Sequence, residues 1–463
     1  MRHEALVLAV FAVLFVLACG DDDGGTAPPA DSGVLPDAGG KPQGWTVTTI
    51  DSSPSGVQAR MAIGGDGAPA VAYFATEGAS AGLCSELGVP DPPEKVVWDL
   101  FFSTRTGAAW ARETIAQIPL VGVPTGISLS RAPDGALAAA AMTGAPVAQI
   151  RYCGANDTGY MLRTGPGAWT AETAVATSGQ AATGDPASDY GEVVGYWPSL
   201  AFDSAGNPAI AYKDVHAGGM QSDDFRRADL ELAWREGGTW RAIPVNAGRG
   251  AGDFGALAFD AQDRPVIAYY VPAESLEGSE RGVWVTRSAD GGATWESVRI
   301  HAGGTQYSPA VLVHPKDGTL FVAFYDAGRG LPYLARLADD AGFPDVAAGW
   351  EVEEFGDHTY DEGYYLSLGA DLQGRLVAAY YRCVRAAAGV GNCDPNDDAA
   401  VFARREASGT WTREVIDSGS EGVCGMYTAL GVDPQGRVFV TYQCSEESEG
   451  SFEFHLKVAE KAP

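Results

Sequence analysis

Seven short runs of alternating apolar and polar residues along the chain each begin at a tryptophan. These tryptophans are 55 to 71 residues apart, and they are Trp45, Trp110, Trp169, Trp240, Trp295, Trp350 and Trp411. Alternation with a period of two predicts half-buried strands. A supersecondary unit that recurs at this spacing predicts a β-propeller or another array of small sheets.

A strand, a tight turn and a second strand precede each later tryptophan. In the third repeat the turn runs from Asp203 to Gly206, and the equivalent turns lie at Gly67, Gly135, Asp263, Gly318, Gly374 and Gly436. Glycine at that position predicts a positive φ angle. A third run, such as Val283 to Thr286, then leads to the turn before the next tryptophan. The repeat therefore predicts four strands, the number in a propeller blade.

The two ends of the chain complement each other. The first run, Trp45 to Ile50, has no hairpin before it, and the last, Phe454 to Val458, has no tryptophan after it. We predict an all-β fold, a seven-bladed β-propeller of four-stranded antiparallel blades over residues 45–463, whose last blade is closed by the N- and C-terminal strands. We expect each tryptophan to fill the turn at the base of its blade. The small residues Ala138 to Ala141 could distort the second blade.

The N-terminal segment predicts export. Residues 1–18 contain one early arginine and an apolar run too short to span a bilayer, which is typical of a signal peptide. The sequence Leu17-Ala18-Cys19-Gly20 resembles the lipobox of bacterial lipoproteins. The resemblance implies that Cys19 is lipidated and that the protein is anchored in the bacterial cell envelope, facing the periplasm or on the surface. A plain secretory signal with a chance cysteine is the alternative.

Composition limits the partners. Residues 19–44 are mostly glycine, proline, aspartate and alanine, so we expect a flexible tether between the anchor and the propeller. The chain has 31 Lys and Arg against 60 Asp and Glu, a formal net charge of −29. That charge repels nucleic acid and anionic membrane surfaces, so we expect no nucleic-acid partner and membrane contact through the lipid alone.

One repeat contains a more specific motif. The segment Ser288-Ala-Asp290-Gly-Gly292-Ala-Thr294-Trp295 resembles the Asp-box of sialidase-like propellers at every fixed position. In that family the box lies on the turn between the third and fourth strands, where the aspartate accepts hydrogen bonds and the tryptophan packs beneath. The resemblance implies a structural role for these residues, and no catalytic residue is predicted from them.

Most of the long insertions fall on one face of the predicted ring. This face, the loop face, is where the 2–3 loops within blades and the 4–1 loops between blades lie. The insertions are residues 76–94, 144–158, 175–196, 216–227, 272–282, 357–364 and 383–399. Binding residues favour long loops on a rigid scaffold, which makes this face the candidate site. Tolerated surface insertions are the alternative.

Aromatic residues recur where the 4–1 loops lead into the innermost strands. They are Trp197, Phe254, Tyr307, Tyr365 and Tyr427. Such rings could surround the mouth of the central channel and bind sugar rings, peptide side chains or cations, although packing between blades would also explain them. A carboxylate-rich loop lies beside them and contains Asp357, His358, Asp361 and Glu362, although an ordinary solvated loop would explain these residues equally well.

Six cysteines besides Cys19 suggest disulfides in an exported protein. Cys424 and Cys444 flank one hairpin almost symmetrically, Cys383 and Cys393 bracket one loop, and Cys84 and Cys153 remain as a third pair. Free buried thiols are the alternative.

No cofactor is expected. Asp394 to Asp398 imitates the opening of a calcium loop, but Ala399 and Arg405 stand where an EF-hand needs glycine and glutamate, so only an irregular calcium site stays open. The histidines lack zinc-ligand spacing.

The sequence favours a non-catalytic scaffold that binds a glycan, a peptide or an envelope protein through the loop face. The alternative is a glycoside hydrolase like the sialidases, in which the resemblance implies an arginine triad, a Tyr–Glu nucleophile pair and an aspartate acid/base. Where that family has Phe/Tyr-Arg-Ile-Pro, this chain has only Gln58-Ala59-Arg60-Met61. No spacing singles out three arginines among Arg249, Arg281, Arg329 and Arg382. A third possibility is an assembly factor of an envelope complex.

Overall fold

A computed structural model describes most of the chain from Gly44 onward. The described residues are 44–52, 55–76, 95–107, 109–121, 126–144, 156–176, 193–215, 228–246, 250–272, 280–303, 309–338, 343, 349–385, 393–418, 423–448 and 451–463. None of them belongs to a helix that could cross a bilayer. Cys19, Cys84, Cys153 and Tyr307 lie outside these ranges, as do the predicted signal peptide and nearly all of the tether.

Strands β2 to β17 form the first four blades. Blade 1 contains β2 (Ser55–Ile63), β3 (Pro69–Thr76), β4 (Lys95–Thr106) and β5 (Ala109–Val121). Blade 2 contains β6 (Ile127–Arg131), β7 (Leu137–Thr143), β8 (Asp157–Gly165) and β9 (Ala168–Val175). Blade 3 contains β10 (Val193–Phe202), β11 (Pro208–Val215), β12 (Asp229–Glu236) and β13 (Thr239–Asn246). Blade 4 contains β14 (Asp253–Phe259), β15 (Pro265–Val271), β16 (Gly282–Arg287) and β17 (Glu296–His301).

The remaining strands form blades 5 to 7. Blade 5 contains β18 (Ala310–Val313), β19 (Leu320–Asp326), β20 (Leu331–Leu337) and β21 (Trp350–Glu354). Blade 6 contains β22 (Tyr360–Ala370), β23 (Leu376–Arg385), β24 (Cys393–Arg405) and β25 (Trp411–Ser418). Blade 7 contains β26 (Cys424–Val432), β27 (Val438–Ser448), β28 (Ser451–Lys461) and β1 (Trp45–Asp51).

The ring closes as the sequence predicts. Strand β1 pairs antiparallel with β28, with Trp45 opposite Lys461 and Asp51 opposite Leu456, so both ends of the chain share one sheet. Each innermost strand contacts that of the next blade, including β26 against β2. The seven-bladed propeller of four-stranded antiparallel blades is therefore confirmed. In blade 2 the pairing of β6 with β7 has no bulge, with Ile127 to Arg131 opposite Ala141 to Leu137, and the register shifts occur between β8 and β9.

The 1–2 turns have the predicted conformation. The glycines of six turns have φ between 73° and 93°, and Asp263 takes the same role in blade 4 at 57°. Asp260 accepts a hydrogen bond from the backbone N–H of Arg264 and pairs with its guanidinium at 2.6 Å. Asp371 and Asp433 repeat this arrangement in blades 6 and 7. The aspartates and glycines thus fix seven tight turns on the face opposite the loop face.

The tryptophans pack between blades, which corrects the prediction that each ring fills the turn of its own blade. Trp169 of blade 2 contacts Phe102 on β4 of blade 1, with ring centroids 5.1 Å apart. Trp45 of blade 7 contacts Phe402 on β24 of blade 6 at 5.4 Å. The ring therefore bridges the outer part of one sheet to the preceding sheet, because an indole is long enough to span the gap between two packed sheets.

Several of these tryptophans donate a hydrogen bond to a glutamate of the preceding blade, and an arginine or lysine of the tryptophan's own blade forms an ion pair with the same glutamate. The Trp169 indole N–H and the Arg163 guanidinium both bond Glu113, at 3.1 and 2.6 Å. The same arrangement joins Trp411 and Arg405 to Glu353, and Trp45 and Lys461 to Glu414. Each of these glutamates lies three residues after a tryptophan. Trp-x-x-Glu is thus a signal in the sequence that the periodicity analysis missed.

Replacement of Trp45 by alanine tests this bridge. We expect the Trp45→Ala variant to lose about 3 to 5 kcal/mol of unfolding free energy, because it removes a ring that is only 8% exposed and joins the closing blade to blade 6. Val47→Ala on the same strand is the control, since Val47 is 39% exposed and should change stability by less than ~0.5 kcal/mol. Urea denaturation measures both, and equal effects would contradict the bridging role.

Candidate functional site

Five innermost strands begin with the same unusual backbone. Near their starts on the loop face stand Gln58, Trp197, Phe254, Tyr365 and Tyr427, with φ angles of 58°, 46°, 54°, 53° and 53°. Each follows a glycine of positive φ by two positions, and these glycines are Gly56, Gly195, Gly252, Gly363 and Gly425. We call these five non-glycine residues the channel mouth.

Left-handed backbone is costly for bulky residues, about 1 to 2 kcal/mol each. The β-ladder is interrupted at each of these positions, for example between Tyr196 and Ser199 and between Met426 and Ala429. The bulge turns the chain from the 4–1 loop into the inner strand and re-aims one side chain. Four of the five residues are large aromatics, although glycine or asparagine would adopt this conformation at lower cost. Strain concentrated in this way is typical of functional positions.

The aromatic residues of the mouth form two pairs. Trp197 and Phe254 of blades 3 and 4 have ring centroids 4.5 Å apart at 40°, and Tyr365 and Tyr427 of blades 6 and 7 lie 4.5 Å apart at 53°. Trp197, Phe254 and Tyr365 are half-buried, whereas Tyr427 is buried. The structure therefore brings four of the five predicted aromatics to the loop-face end of the inner strands. The fifth, Tyr307, lies outside the described residues.

Covalent and hydrogen bonds fix the pair of blades 6 and 7. The predicted disulfide joins Cys424 of β26 to Cys444, which lies directly opposite on β27. Cys424 is three residues before Tyr427. Thr428 donates a hydrogen bond to the carbonyl of Tyr365, so neighbouring inner strands are tied at the mouth itself. Cys383 is also disulfide-bonded, and the side chain of its predicted partner Cys393 lies outside the described part of the chain.

A buried ion pair lies beneath the other aromatic pair. Lys213 of β11 bonds Asp253 of β14, and its ammonium lies 5.5 Å from the centroid of the Trp197 ring. Burial lowers the pKa of Lys213 and raises the pKa of Asp253, while their mutual attraction opposes both shifts. The pair crosses the boundary between blades 3 and 4.

Arginines reach this face at separate places. Burial lowers the pKa of Arg60 on β2 to about 10, and this guanidinium lies close enough to Tyr427 to interact with it. Arg281 bonds the hydroxyl of Tyr270 in blade 4, while Arg382 stacks on Tyr360 in blade 6 at 3.9 Å. Arg249 lies outside the described residues. Of the arginines that sequence analysis considered, Arg281 and Arg382 are thus engaged in different blades, and Arg329 lies in the turn between β19 and β20 of blade 5, where its N–H bonds Asp326.

The predicted carboxylate loop divides into two environments. His358 is exposed and pairs with Glu354, and Asp357 accepts a hydrogen bond from the N–H of Thr359. Asp361 instead lies in strand β22, fully buried, and accepts a 2.7 Å hydrogen bond from the hydroxyl of Tyr325. The prediction that Asp361 and Glu362 share a solvated loop with the other two residues was therefore wrong, because β22 begins at Tyr360 and removes both carboxylates from solvent.

Glu362, next to Asp361 and predicted in the same loop, is also buried in strand β22. It accepts a hydrogen bond from the N–H of Asp357, and Arg413 approaches it at 3.7 Å. Burial raises its pKa to about 7, although Arg413 and Arg382 act in the opposite direction. Arg413 also donates to the carbonyls of Phe355 and Gly356. The cluster fixes the segment that leads from blade 5 into the strand of Tyr365.

The segment that resembles an Asp-box forms a compact turn between β16 and β17. Asp290 accepts hydrogen bonds from the N–H of Thr294 at 2.8 Å and from its hydroxyl at 2.7 Å, and these bonds lower its pKa. Ser288 accepts from the N–H of Gly292 at 2.8 Å. Trp295 packs beside the core of blades 3 and 4. The turn lies on the face opposite the mouth, where it stabilises a blade.

The described residues offer little to a metal ion. Asp417, Cys424 and Cys444 are close enough together, but the two sulfur atoms are bonded to each other. The predicted calcium segment, residues 394–398, is part of strand β24, and Asp398 accepts a 2.6 Å hydrogen bond from Tyr381.

No family model matches the chain, and no curated protein matches it. Among solved structures it is similar to a protein of unknown function from Dyadobacter fermentans DSM 18053, with 13% identity and a TM-score of 0.46 over 91% of this chain and 98% of the other. It is also similar to the NanB sialidase from Streptococcus pneumoniae, with 13% identity and a TM-score of 0.44 over 90% of this chain and 70% of the other. For an alpha-L-arabinofuranosidase from Lactobacillus brevis the identity is 13% and the TM-score 0.40, over 62% of this chain and 92% of the other. Likeness at this level says nothing about activity, and the fold assignment rests on the strand pairing.

Gln58 allows the strain of the mouth to be measured without loss of an aromatic ring. Glycine avoids the left-handed penalty but costs ~0.5 to 1 kcal/mol of chain entropy, so Gln58→Gly should stabilise the protein by roughly 0.5 to 1 kcal/mol. Gln117→Gly in β5 of the same blade should destabilise it by a similar amount. Thermal unfolding of both variants checks this, and loss of stability in Gln58→Gly would refute the strain.

Glu362 should make stability depend on pH. A carboxyl whose pKa is raised in the folded state stabilises the fold at low pH, and that contribution is lost as the pH rises from 4.5 through about 7. We expect Glu362→Gln to reduce the fall in unfolding free energy across this range by on the order of 3 kcal/mol. Glu351→Gln, at an exposed residue of β21, is the control. Identical urea midpoints for wild type and Glu362→Gln at pH 5 and pH 8 would contradict the expectation.

Proposed function

We propose that this protein is a non-catalytic glycan-binding module, exported and anchored by lipid at Cys19, whose ligand stacks on the aromatic residues of the channel mouth. The anchor and the tether of residues 19–44 are part of the proposal and rest on the sequence alone. No cofactor is required, since stacking and hydrogen bonds suffice for binding of this kind.

One observation supports this proposal above the others. The same Gly-x-aromatic bulge, with both residues at positive φ, places a ring at the mouth in four blades, although the conformation disfavours such side chains. Flat aromatic faces bind the apolar faces of sugar rings, and half-buried rings lose little entropy on binding. The long loops start at the same end of the blades, where they can surround a ligand.

The second candidate is a hydrolase of sialidase type. It is favoured by Arg60, whose guanidinium interacts electrostatically with Tyr427 of the mouth. A hydrolase of that type is expected to bind the substrate carboxylate with three converging arginines. Arg281 and Arg382 are engaged in blades 4 and 6, which favours the binding module. Release of the fluorophore from a fluorogenic sialoside by the wild type, and its loss in Arg60→Met, would support the hydrolase instead.

Trp197 provides the direct test of the binding function. The full chain with Cys19→Ser is screened on a printed array of neutral and sialylated oligosaccharides, and the strongest ligand is titrated by calorimetry. We expect Trp197→Ala to weaken binding by about 2 kcal/mol, roughly thirtyfold, because it removes a stacking surface.

Trp110→Ala is the matched control, because Trp110 is equally half-buried but lies on the outer strand of blade 1. Equal losses in both variants, or a wild type that binds no oligosaccharide, would refute the proposal. A ligand found instead by peptide screening would reassign the mouth to a peptide.

A further inference from the structure

The boundary of blades 3 and 4 has charges at two positions that are uncharged in other blades. Lys213 follows the buried Tyr212 on the second strand, and the equivalent residues are Phe74, Met142, Tyr270, Tyr325, Tyr381 and Gln443. Asp253 immediately precedes a left-handed residue of the mouth, where other blades have Val57, Tyr196, Tyr364 and Met426. The lysine and the aspartate occur together, and they bond each other.

The fold itself does not need this pair. Lys213 is fully buried and Asp253 nearly so, and both charges lose their hydration there. Apolar residues of similar size in place of a buried ion pair are often neutral or stabilising. At the other blade boundaries, the described residues equivalent to Lys213 and Asp253 are uncharged. The charges therefore call for a role other than stability.

The geometry links the pair to both rings above it. The Lys213 ammonium lies 5.5 Å from the centroid of the Trp197 ring, and Asp253 immediately precedes Phe254 in the sequence. A Cβ added at Gly126 of blade 2 would lie 3.0 Å from the Trp197 Cα, so blade 2 confines the same residue from the other side. A Cβ at Gly252 would lie 3.3 Å from the Lys213 Cβ. The Trp197–Phe254 pair is thus positioned by the ion pair and by close backbone packing.

We propose that Trp197 and Phe254 form the primary subsite of the proposed binding site, that it takes a neutral sugar ring, and that Lys213 and Asp253 position it. The inference rests on the glycan-binding function proposed above. The two charges of the pair cancel, so this platform offers no net charge to a carboxylate. The chain charge of −29 also disfavours an anionic sugar.

The test uses the full chain with Cys19→Ser on the same printed array, followed by calorimetric titration with the strongest neutral oligosaccharide. The variant K213M/D253N removes both charges and preserves size, and we expect it to bind at least tenfold more weakly. The control is R163M/E113Q, which removes an ion pair from the outer rim between blades 1 and 2 and should bind within twofold of wild type.

The outcomes separate the two proposals. If K213M/D253N binds as tightly as wild type while Trp197→Ala does not, the positioning role is overturned and the binding function stands. Preference for sialylated over neutral oligosaccharides overturns the ligand class. A wild type that binds no oligosaccharide overturns both proposals.

A second variant covers the case in which K213M/D253N does not fold. Lys213→Arg keeps the charge but replaces a compact ammonium by a larger planar group. We expect this variant to fold and to bind at least threefold more weakly. Affinity within the error of wild type would overturn the positioning role.

Discussion

Closure of the ring is the constraint on which the rest of the molecule depends. Strand β1 completes the sheet that β26, β27 and β28 begin, so the first and last segments of the described chain bond each other. Without this pairing blade 7 would have three strands, and Trp45 would not pack against Phe402 of blade 6. Because every blade packs against two others, the innermost strands must converge around one axis. This convergence positions the residues of the mouth.

The two faces of the ring differ in backbone conformation. On one face, aspartates and glycines build short turns, and Asp290 satisfies the backbone of its own loop. On the other face, the chain turns sharply from the 4–1 loop into the inner strand of five blades, and non-glycine residues occupy left-handed conformations there. Low-cost turns on one face and strained aromatics on the other are expected if the second face is the one that contacts a ligand.

Polar contacts between blades are of two kinds with different consequences. At the outer rim, glutamates such as Glu113 accept from the tryptophan and the arginine of the next blade in partly exposed positions. Near the mouth, Lys213, Asp253 and Glu362 are buried, where unpaired charge is costly, and Arg413 approaches Glu362 from a partly exposed position. The outer contacts secure the packing of the blades. The buried contacts fix the segments that support Trp197, Phe254 and Tyr365.

The sequence by itself determined the architecture. The tryptophan spacing, the Asp and Gly turns and the complementary chain ends predicted seven blades and their closure, because local alternation and turn chemistry dictate strands and hairpins. It also predicted the Cys424–Cys444 bridge and the place of the aromatics. Only the tertiary structure showed that Asp361 is buried, that the tryptophans bridge blades, and that Lys213 meets Asp253 forty residues away. Those contacts join different sheets, and the alternation within a strand does not encode which side chains two packed sheets bring together.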